Sequence, residues 1–202
     1  MQGVEELTPE AQAERAKLMD AALKVMKLNG FQGASVQDIL DEASLSTRAF
    51  YRQFRSKDDL LLAMFRTASA RDVEAVAKRS SNGDAPLERL HAWIDEMLAI
   101  AFDRRRLSRI VMFNVSARQA VGFDDECEHM RERLTAPLVD ALKAGSEDGT
   151  FPSTRPEDDA VTIFDLLWSV AGPQARRGRA LERSDARADL LRFVLPALSD
   201  SK

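Results

Sequence analysis

The residues whose types and spacing could carry chemistry gather in one short window. Arg48, Arg52 and Arg55 recur at i, i+4 and i+7 and would share one face of a helix, while Phe50 and Phe54, four apart, would anchor the opposite side in a core. From Leu45 to Lys57 there are four cations and no carboxylate, whereas a merely solvated surface intersperses both signs. Such a strip suits phosphate oxygens. It would do so most strongly beside helix N-termini, where unpaired N–H groups and the helix dipole both favour anions.

Outside that window the reactive chemistry is thin. His91 and His129 are the only histidines, and Cys127-Glu128-His129 is too tight on a helix for three ligands to converge on one metal. No glycine-rich phosphate loop, nucleophile elbow or His-Glu-x-x-His pattern occurs, so no enzyme, metal site or cofactor is expected. Arg104-Arg105-Arg106 and Arg176-Arg177-Gly178-Arg179 read as solvated charge. A minority reading makes one of these runs the receiver of a phosphate-bearing or carboxylated effector such as an acyl-CoA.

Three serines set the elements that position the cations. Ser35 can cap a helix whose Val36, Ile39, Leu40 and Ala43 follow i, i+3, i+4, i+7 spacing, with Asp38 at the capping-box position. Ser46 can cap a second helix from Thr47 to about Phe54, and Ser56 with Asp59 opens a third. Only Ala43, Ser44 and Leu45 separate the first of these helices from the cap of the next. A connection that short forces a sharp crossing, the helix-turn-helix arrangement with its second helix presented outward.

The run Phe50-Tyr51-Arg52-Gln53-Phe54-Arg55-Ser56-Lys57-Asp58-Asp59-Leu60-Leu61, placed after Ser35-Val36-Gln37-Asp38-Ile39, resembles the N-terminal DNA-binding domain of TetR-family transcriptional regulators, over about a quarter of the chain. The resemblance implies an all-α fold: an N-terminal three-helix helix-turn-helix DNA-binding domain, then a C-terminal helical ligand-binding and dimerisation domain. In that family the last two helices pair with those of a second subunit as a four-helix bundle. By their match to the motif, Tyr51, Arg52 and Lys57 are expected at phosphates. Thr47 and Arg48, at the start of the second helix, are the expected base readers, with Ser46 and Ser35 beside them. Two positions depart from the family pattern. Ser44 stands where a turn glycine is common, and a left-handed serine costs about 1 kcal/mol relative to glycine. Arg48 and Ala49 replace a frequent glycine-threonine pair, which alters the operator-facing surface.

Composition bounds the rest. At 202 residues, 45% of them hydrophobic and 31% charged, the chain can bury a substantial core and reads as an ordinary soluble protein. A net charge of -4 and a pI near 5.4 exclude a generally basic nucleic-acid coat but not a local basic face. The single cysteine, Cys127, excludes an intrachain disulfide and fits a reducing cytoplasm. The polar, acidic first twenty residues give no secretory signal, and no apolar run approaches membrane-spanning length, so a cytoplasmic location without a membrane partner is expected.

Taken in order, Thr8-Pro9-Glu10 opens a helix carrying Leu18, Ala22, Val25 and Met26 on one face and ending near Asn29-Gly30. The helix-turn-helix domain is placed at 8–60, with a connecting helix at about 56–79. After the break Ser80-Ser81-Asn82-Gly83-Asp84, residues 80–200 form the effector-binding and dimerisation domain. Its expected helices run from Pro86 to Asp103, from Arg104 to Gln119, from Asp124 to about Ala144 with a loosening at Pro137, from Asp158 to about Arg176 behind a Thr154/Glu157 box, and from Ser184 to Pro196.

Trp93, Met97, Met112, Phe113, Met130, Leu134, Phe164 and Trp168 are the candidate ligand-binding residues. Such side chains at helical spacing usually just pack, but a cavity between helices lined by them would take a mostly apolar small molecule. The expected function is a ligand-responsive transcriptional regulator, a repressor, binding a palindromic duplex-DNA operator as a homodimer. A small, mostly apolar effector, an acyl-CoA or other lipid-like molecule, would release it. The alternative is a helical small-molecule-binding or interaction protein without sequence-specific DNA binding, against which the cationic window weighs.

Overall fold

The structure, a computed structural model, describes residues 8–81, 83–107, 120–172 and 181–199. Every regular element among them is an α-helix: α1 (Pro9–Gly33), α2 (Val36–Ala43), α3 (Thr47–Gln53), α4 (Lys57–Ser80), α5 (Pro86–Phe102), α6 (Phe123–Asp148), α7 (Pro156–Ala171) and α8 (Arg183–Ser199). The expected helix from Arg104 to Gln119 falls largely outside the described residues, and Met112 and Phe113 lie there too. The described residues fall into two compact units, one holding 8–67 with 120–124, the other holding 68–107, 125–172 and 181–199.

In the first unit α1 packs on α2 and α3. Thr8 accepts from the Ala11 amide at 3.3 Å with Pro9 at the first helical position, as its sequence suggests. The regular helix stops at Gly30, whose φ of 70° and ψ of 170° break the backbone path before a last turn to Gly33. Leu18, Ala22, Val25 and Met26 are buried, as are Ile39, Leu40, Phe50, Phe54, Leu60 and Leu61, so the apolar stripe of α1 covers the helix-turn-helix from behind. The turn at 120–123 belongs to this same unit. Phe123 meets Phe65 edge-on at 5.2 Å, and the Val121 amide points to Asp58 at 3.5 Å.

The second unit is built on α5, which packs against α7 and α8, themselves paired. Leu90, Trp93, Ile94, Met97 and Leu98 are fully buried there. The sequence boundaries hold best at α5 and shift elsewhere for local reasons. Helix α6 continues through Gly145 to Asp148, because the Phe151 ring lies flat against Gly145, where an added Cβ would sit 2.1 Å from the ring. The expected Thr154/Glu157 box does not form. Asp159 accepts instead from the Thr154 hydroxyl at 3.0 Å and the Arg155 amide at 2.7 Å, while Glu157 pairs with Lys143 at 2.8 Å. Helix α7 ends at Ala171, short of Arg176, and α8 carries Pro196 inside rather than stopping before it.

Candidate nucleic-acid interface

The reading head is set by its caps. Ser35 and Asp38 form a reciprocal capping box: the Asp38 amide donates to the Ser35 hydroxyl at 3.0 Å, and the Ser35 amide donates to the Asp38 carboxylate at 2.9 Å. The Ser35 hydroxyl and amide together hold the Asp38 carboxyl below the usual carboxylate range. Ser44 closes α2 in the left-handed region, at φ 49° and ψ 48°, which turns the chain sharply into α3. Ser46 then accepts from the Ala49 amide at 3.3 Å. Ser56 caps α4 through the Asp59 amide at 3.1 Å, although the Asp59 carboxylate reaches the Arg55 amide, at 2.9 Å, rather than that of Ser56.

Helix α3 buries Ala49 and Phe50 and turns Thr47, Arg48, Tyr51 and Arg52 to solvent, with Ser46 and Ser35 exposed nearby. Phe50 contacts both Tyr51, edge-on at 5.3 Å, and Phe54, so the exposed face rides on an aromatic anchor. Arg55 departs from the expected strip. The helix ends at Gln53 and Phe54 is extended, at φ -140° and ψ 136°, so Arg55 no longer follows the helical face of Arg48 and Arg52. The physical reason is Phe54, whose side chain is 1% exposed and follows the core rather than the helix period.

Two of the cations already have partners within the protein. Lys57 donates from Nζ to the Ala34 carbonyl at 3.0 Å, joining the start of α4 to the residue before the α2 cap. Arg52 forms an ion pair with Glu14 of α1, and that hydrogen bond is the main cause holding the Glu14 carboxyl below its ordinary range. Arg15, the next residue, donates to the Gln53 carbonyl at 2.9 Å and lies 4.3 Å from the Phe54 ring centroid. It thereby satisfies a carbonyl at the open C-terminal end of α3.

In the second unit the candidate ligand-binding residues come together but are closely packed. Trp93, Met97, Leu134 and Phe164 belong to one buried apolar cluster, with Met130 and Trp168 half-buried at its margin. The Trp93 indole donates to the Leu134 carbonyl at 2.8 Å, and Trp168 meets Phe164 at 6.3 Å between centroids. A shallow groove runs between α7 and α8, lined by Thr162, Ile163, Leu166, Phe193 and Val194 among others. No helix among the described residues is long and apolar enough to cross a membrane.

Residues 18–64, which contain this helix-turn-helix, match the model of bacterial regulatory proteins of the tetR family. Residues 18–64 are thus a tetR-type helix-turn-helix segment. Similarity extends beyond that segment. The HTH-type transcriptional regulator BetI of Burkholderia mallei is 26% identical over 185 residues, spanning 88% of this chain and 92% of its own. An uncharacterised HTH-type transcriptional regulator of Bacillus subtilis, YvkB, is 22% identical over 75% of this chain and 78% of its own. Among solved structures, a transcriptional regulator of Pseudomonas aeruginosa superposes with a TM-score of 0.77 at 22% identity, covering 96% of this chain and 94% of that one. The regulator FadR of Bacillus subtilis, solved with stearoyl-CoA, gives 0.71 at 16% identity over 90% of this chain and 98% of its own.

Helix α3 is also held by residues of α1 that sequence reasoning missed. Glu14 and Arg15 lie 38 residues before their partners Arg52 and Gln53, so no local spacing rule connects them. The one available signal was adjacent opposite charges on a helix otherwise assigned only the job of covering the core.

Proposed function

We propose that the protein is a ligand-responsive repressor that binds a palindromic operator as a homodimer and leaves it when a mostly apolar effector occupies the second unit. The observation that carries this reading is α3 itself: an exposed Thr47–Arg48–Tyr51–Arg52 face on a buried Phe50 and Phe54 anchor, set between α2 and α4 with serine caps at Ser35, Ser46 and Ser56. Thr47 and Arg48 reach base edges in the major groove, with Ser46 and Ser35 close by. Tyr51 and Lys57 meet phosphates, and Arg52 does so in the seated complex by exchanging Glu14 for a phosphate oxygen. A seven-residue reader is small alone, so two copies on a two-fold site supply the affinity.

The effector reading rests on the apolar cluster of the second unit. Met130 and Trp168 stand at its margin and would meet an entering ligand first, ahead of the sealed Trp93, Met97, Leu134 and Phe164. Support for an acyl-CoA or similar lipid comes from FadR, which shares the fold and was solved with stearoyl-CoA. Helix α4 begins at the reading head and contributes residues to both units, so a change in its tilt would alter the separation of two recognition helices that must lie about 34 to 36 Å apart. A coupling of ~1 to 3 kcal/mol would weaken DNA binding roughly 5- to 150-fold, with the same factor acting in reverse on effector affinity.

A gel-shift assay on the DNA upstream of the protein's own gene tests the DNA reading. Adding fatty acids, acyl-CoAs, sterols and hydrophobic drugs while following tryptophan fluorescence tests the effector, since Trp93 and Trp168 are the only tryptophans. The expected result is a retarded complex that one class of compound both dissolves and reports through fluorescence. A compound that binds tightly and leaves the complex intact is not the effector, and the same outcome for every ligand found overturns the induction mechanism.

A further inference from the structure

We propose that Glu14 withholds Arg52 from random-sequence DNA, acting as an internal substitute for phosphate that keeps non-specific binding weak. This inference rests on the DNA-binding reading above and adds a residue outside the helix-turn-helix to it. Arg52 is the last cation of α3, on its solvent face, and its Nη2 donates to the Glu14 carboxylate. The side chains are 54% and 31% exposed, so the pair sits at the surface and a phosphate can reach it.

A carboxylate presents to a guanidinium two oxygens in the geometry that a phosphate also offers, so the two anions compete for the same donors. On random DNA the backbone is met loosely, and exchanging a fixed carboxylate for an unfixed phosphate gains little. In a seated complex the phosphate is held in place by the other contacts, and the exchange becomes favourable. The pair therefore removes one effective positive charge from α3 during search and returns it on the specific site. That bias matters because a genome offers about a million or more competing non-specific sites.

Contacts other than the Glu14 pair also position α3. Arg15 holds the far end of the helix through the Gln53 carbonyl at 2.9 Å and its stacking on Phe54, and neither contact uses Glu14. Phe50 and Ala49 remain buried whatever Arg52 does. Removing the Glu14 charge thus frees Arg52 without unseating the reader.

The test is fluorescence anisotropy of the full-length protein on a labelled random-sequence duplex, between about 50 and 200 mM salt, for wild type, Glu14→Gln and Glu14→Gln/Arg52→Gln. Glu14→Gln should tighten random-duplex binding by about 1.5- to 5-fold, the worth of an exposed ion pair, and steepen the salt slope by about 1. The double variant has the same net charge as wild type and should return to its slope. A Glu14→Gln slope equal to wild type overturns the proposal. So does a double variant flatter than wild type by about 1, since Arg52 would then already meet phosphate with Glu14 in place. If Glu14→Gln fails to fold by circular dichroism, Glu14→Ser replaces it in both arms with the same expectations. Wild-type protein that binds neither this duplex nor its own upstream DNA overturns the DNA-binding reading itself, a result distinguishable from the other outcomes.

Discussion

The Lys57 ammonium lies 3.0 Å from the Ala34 carbonyl oxygen and so ties the start of α4 to the residue that precedes the α2 cap. A side chain assigned to phosphate is thus also a strut of the helix-turn-helix. Lys57→Ala is expected to weaken binding to all duplexes alike and lower the salt slope by about 1, with a loss of stability beside it. Arg48→Ala, at an exposed position where the side chain makes no ion pair among the described residues, is expected to leave stability unchanged and to relax discrimination at particular bases by ~1 to 3 kcal/mol. Binding isotherms on operator variants, taken with urea melts, separate the two. Uniform affinity loss in both variants would show that the division between base and phosphate contacts is misassigned.

Ser44 offers a direct measure of backbone strain. Its φ of 49° is the sole positive value at a non-glycine residue among those described, and it sits at the turn between α2 and α3. Ser44→Gly is expected to stabilise the protein by about 0.5 to 1 kcal/mol, the steric relief being partly offset by the greater freedom of glycine in the unfolded chain. The urea midpoint of the first unit's transition should rise while DNA affinity holds. A lower midpoint would mean that the serine side chain contributes more to the turn than its conformation costs.

The turn chemistry was legible in sequence because capping is local: Ser35, Ser46 and Ser56 are each followed within three residues by the amide they cap. Core positions with clear periodicity, from Leu18 to Met26 and from Leu90 to Leu98, were legible for the same reason. What escaped were relationships across the fold. Nothing in the order of residues links Glu14 to Arg52, or Asp95 of α5 to Arg187 of α8 at 2.7 Å. Arg55 was misplaced because the helical period was carried two residues past Gln53, beyond the point where burial of Phe54 draws the backbone into an extended form. That Trp93, Met97, Leu134 and Phe164 cluster was legible, since apolar side chains on facing helices must pack together. Which of them are sealed and which are marginal depends on packing that periodicity does not encode.

His91 predicts an acid sensitivity in the second unit. Burial, reinforced by the nearby Arg187 and opposed by Asp95, pushes its imidazole below the ordinary histidine range. Its folded-state pKa therefore lies under the unfolded one. The neutral form is favoured by folding, its contribution is intact above the unfolded value of about 6.5, and it is lost as pH falls through the depressed folded value. Carboxylates held low, such as Asp38 and Glu14, give up their contribution only at more acid pH, so the windows separate. Urea midpoints measured from pH 7.5 down to 5 should decline in the wild type and decline less in His91→Gln. Parallel declines would assign the effect to other groups.

The last prediction concerns the two-fold partner. Phe193, 57% exposed on α8, lines a groove together with Ile163, Leu166 and Val194. Aromatic side chains on such a face are the ones that carry the energy of a symmetric contact, since each copy presents the same patch to the other. Truncating before Ser184 would not isolate this role. Ala186, Leu190, Val194 and Leu198 of α8 are buried in the unit's own core, so their loss is expected to give aggregate rather than a folded monomer. Phe193→Asp changes an exposed residue and places a charge on the lining of the groove. In sedimentation velocity it is expected to weaken self-association at least ~10-fold while helicity stays constant, and DNA binding should fall with it on a palindrome but not on a half-site. A Phe193→Asp protein that remains dimeric at wild-type concentration would move the subunit contact to a different face of the second unit.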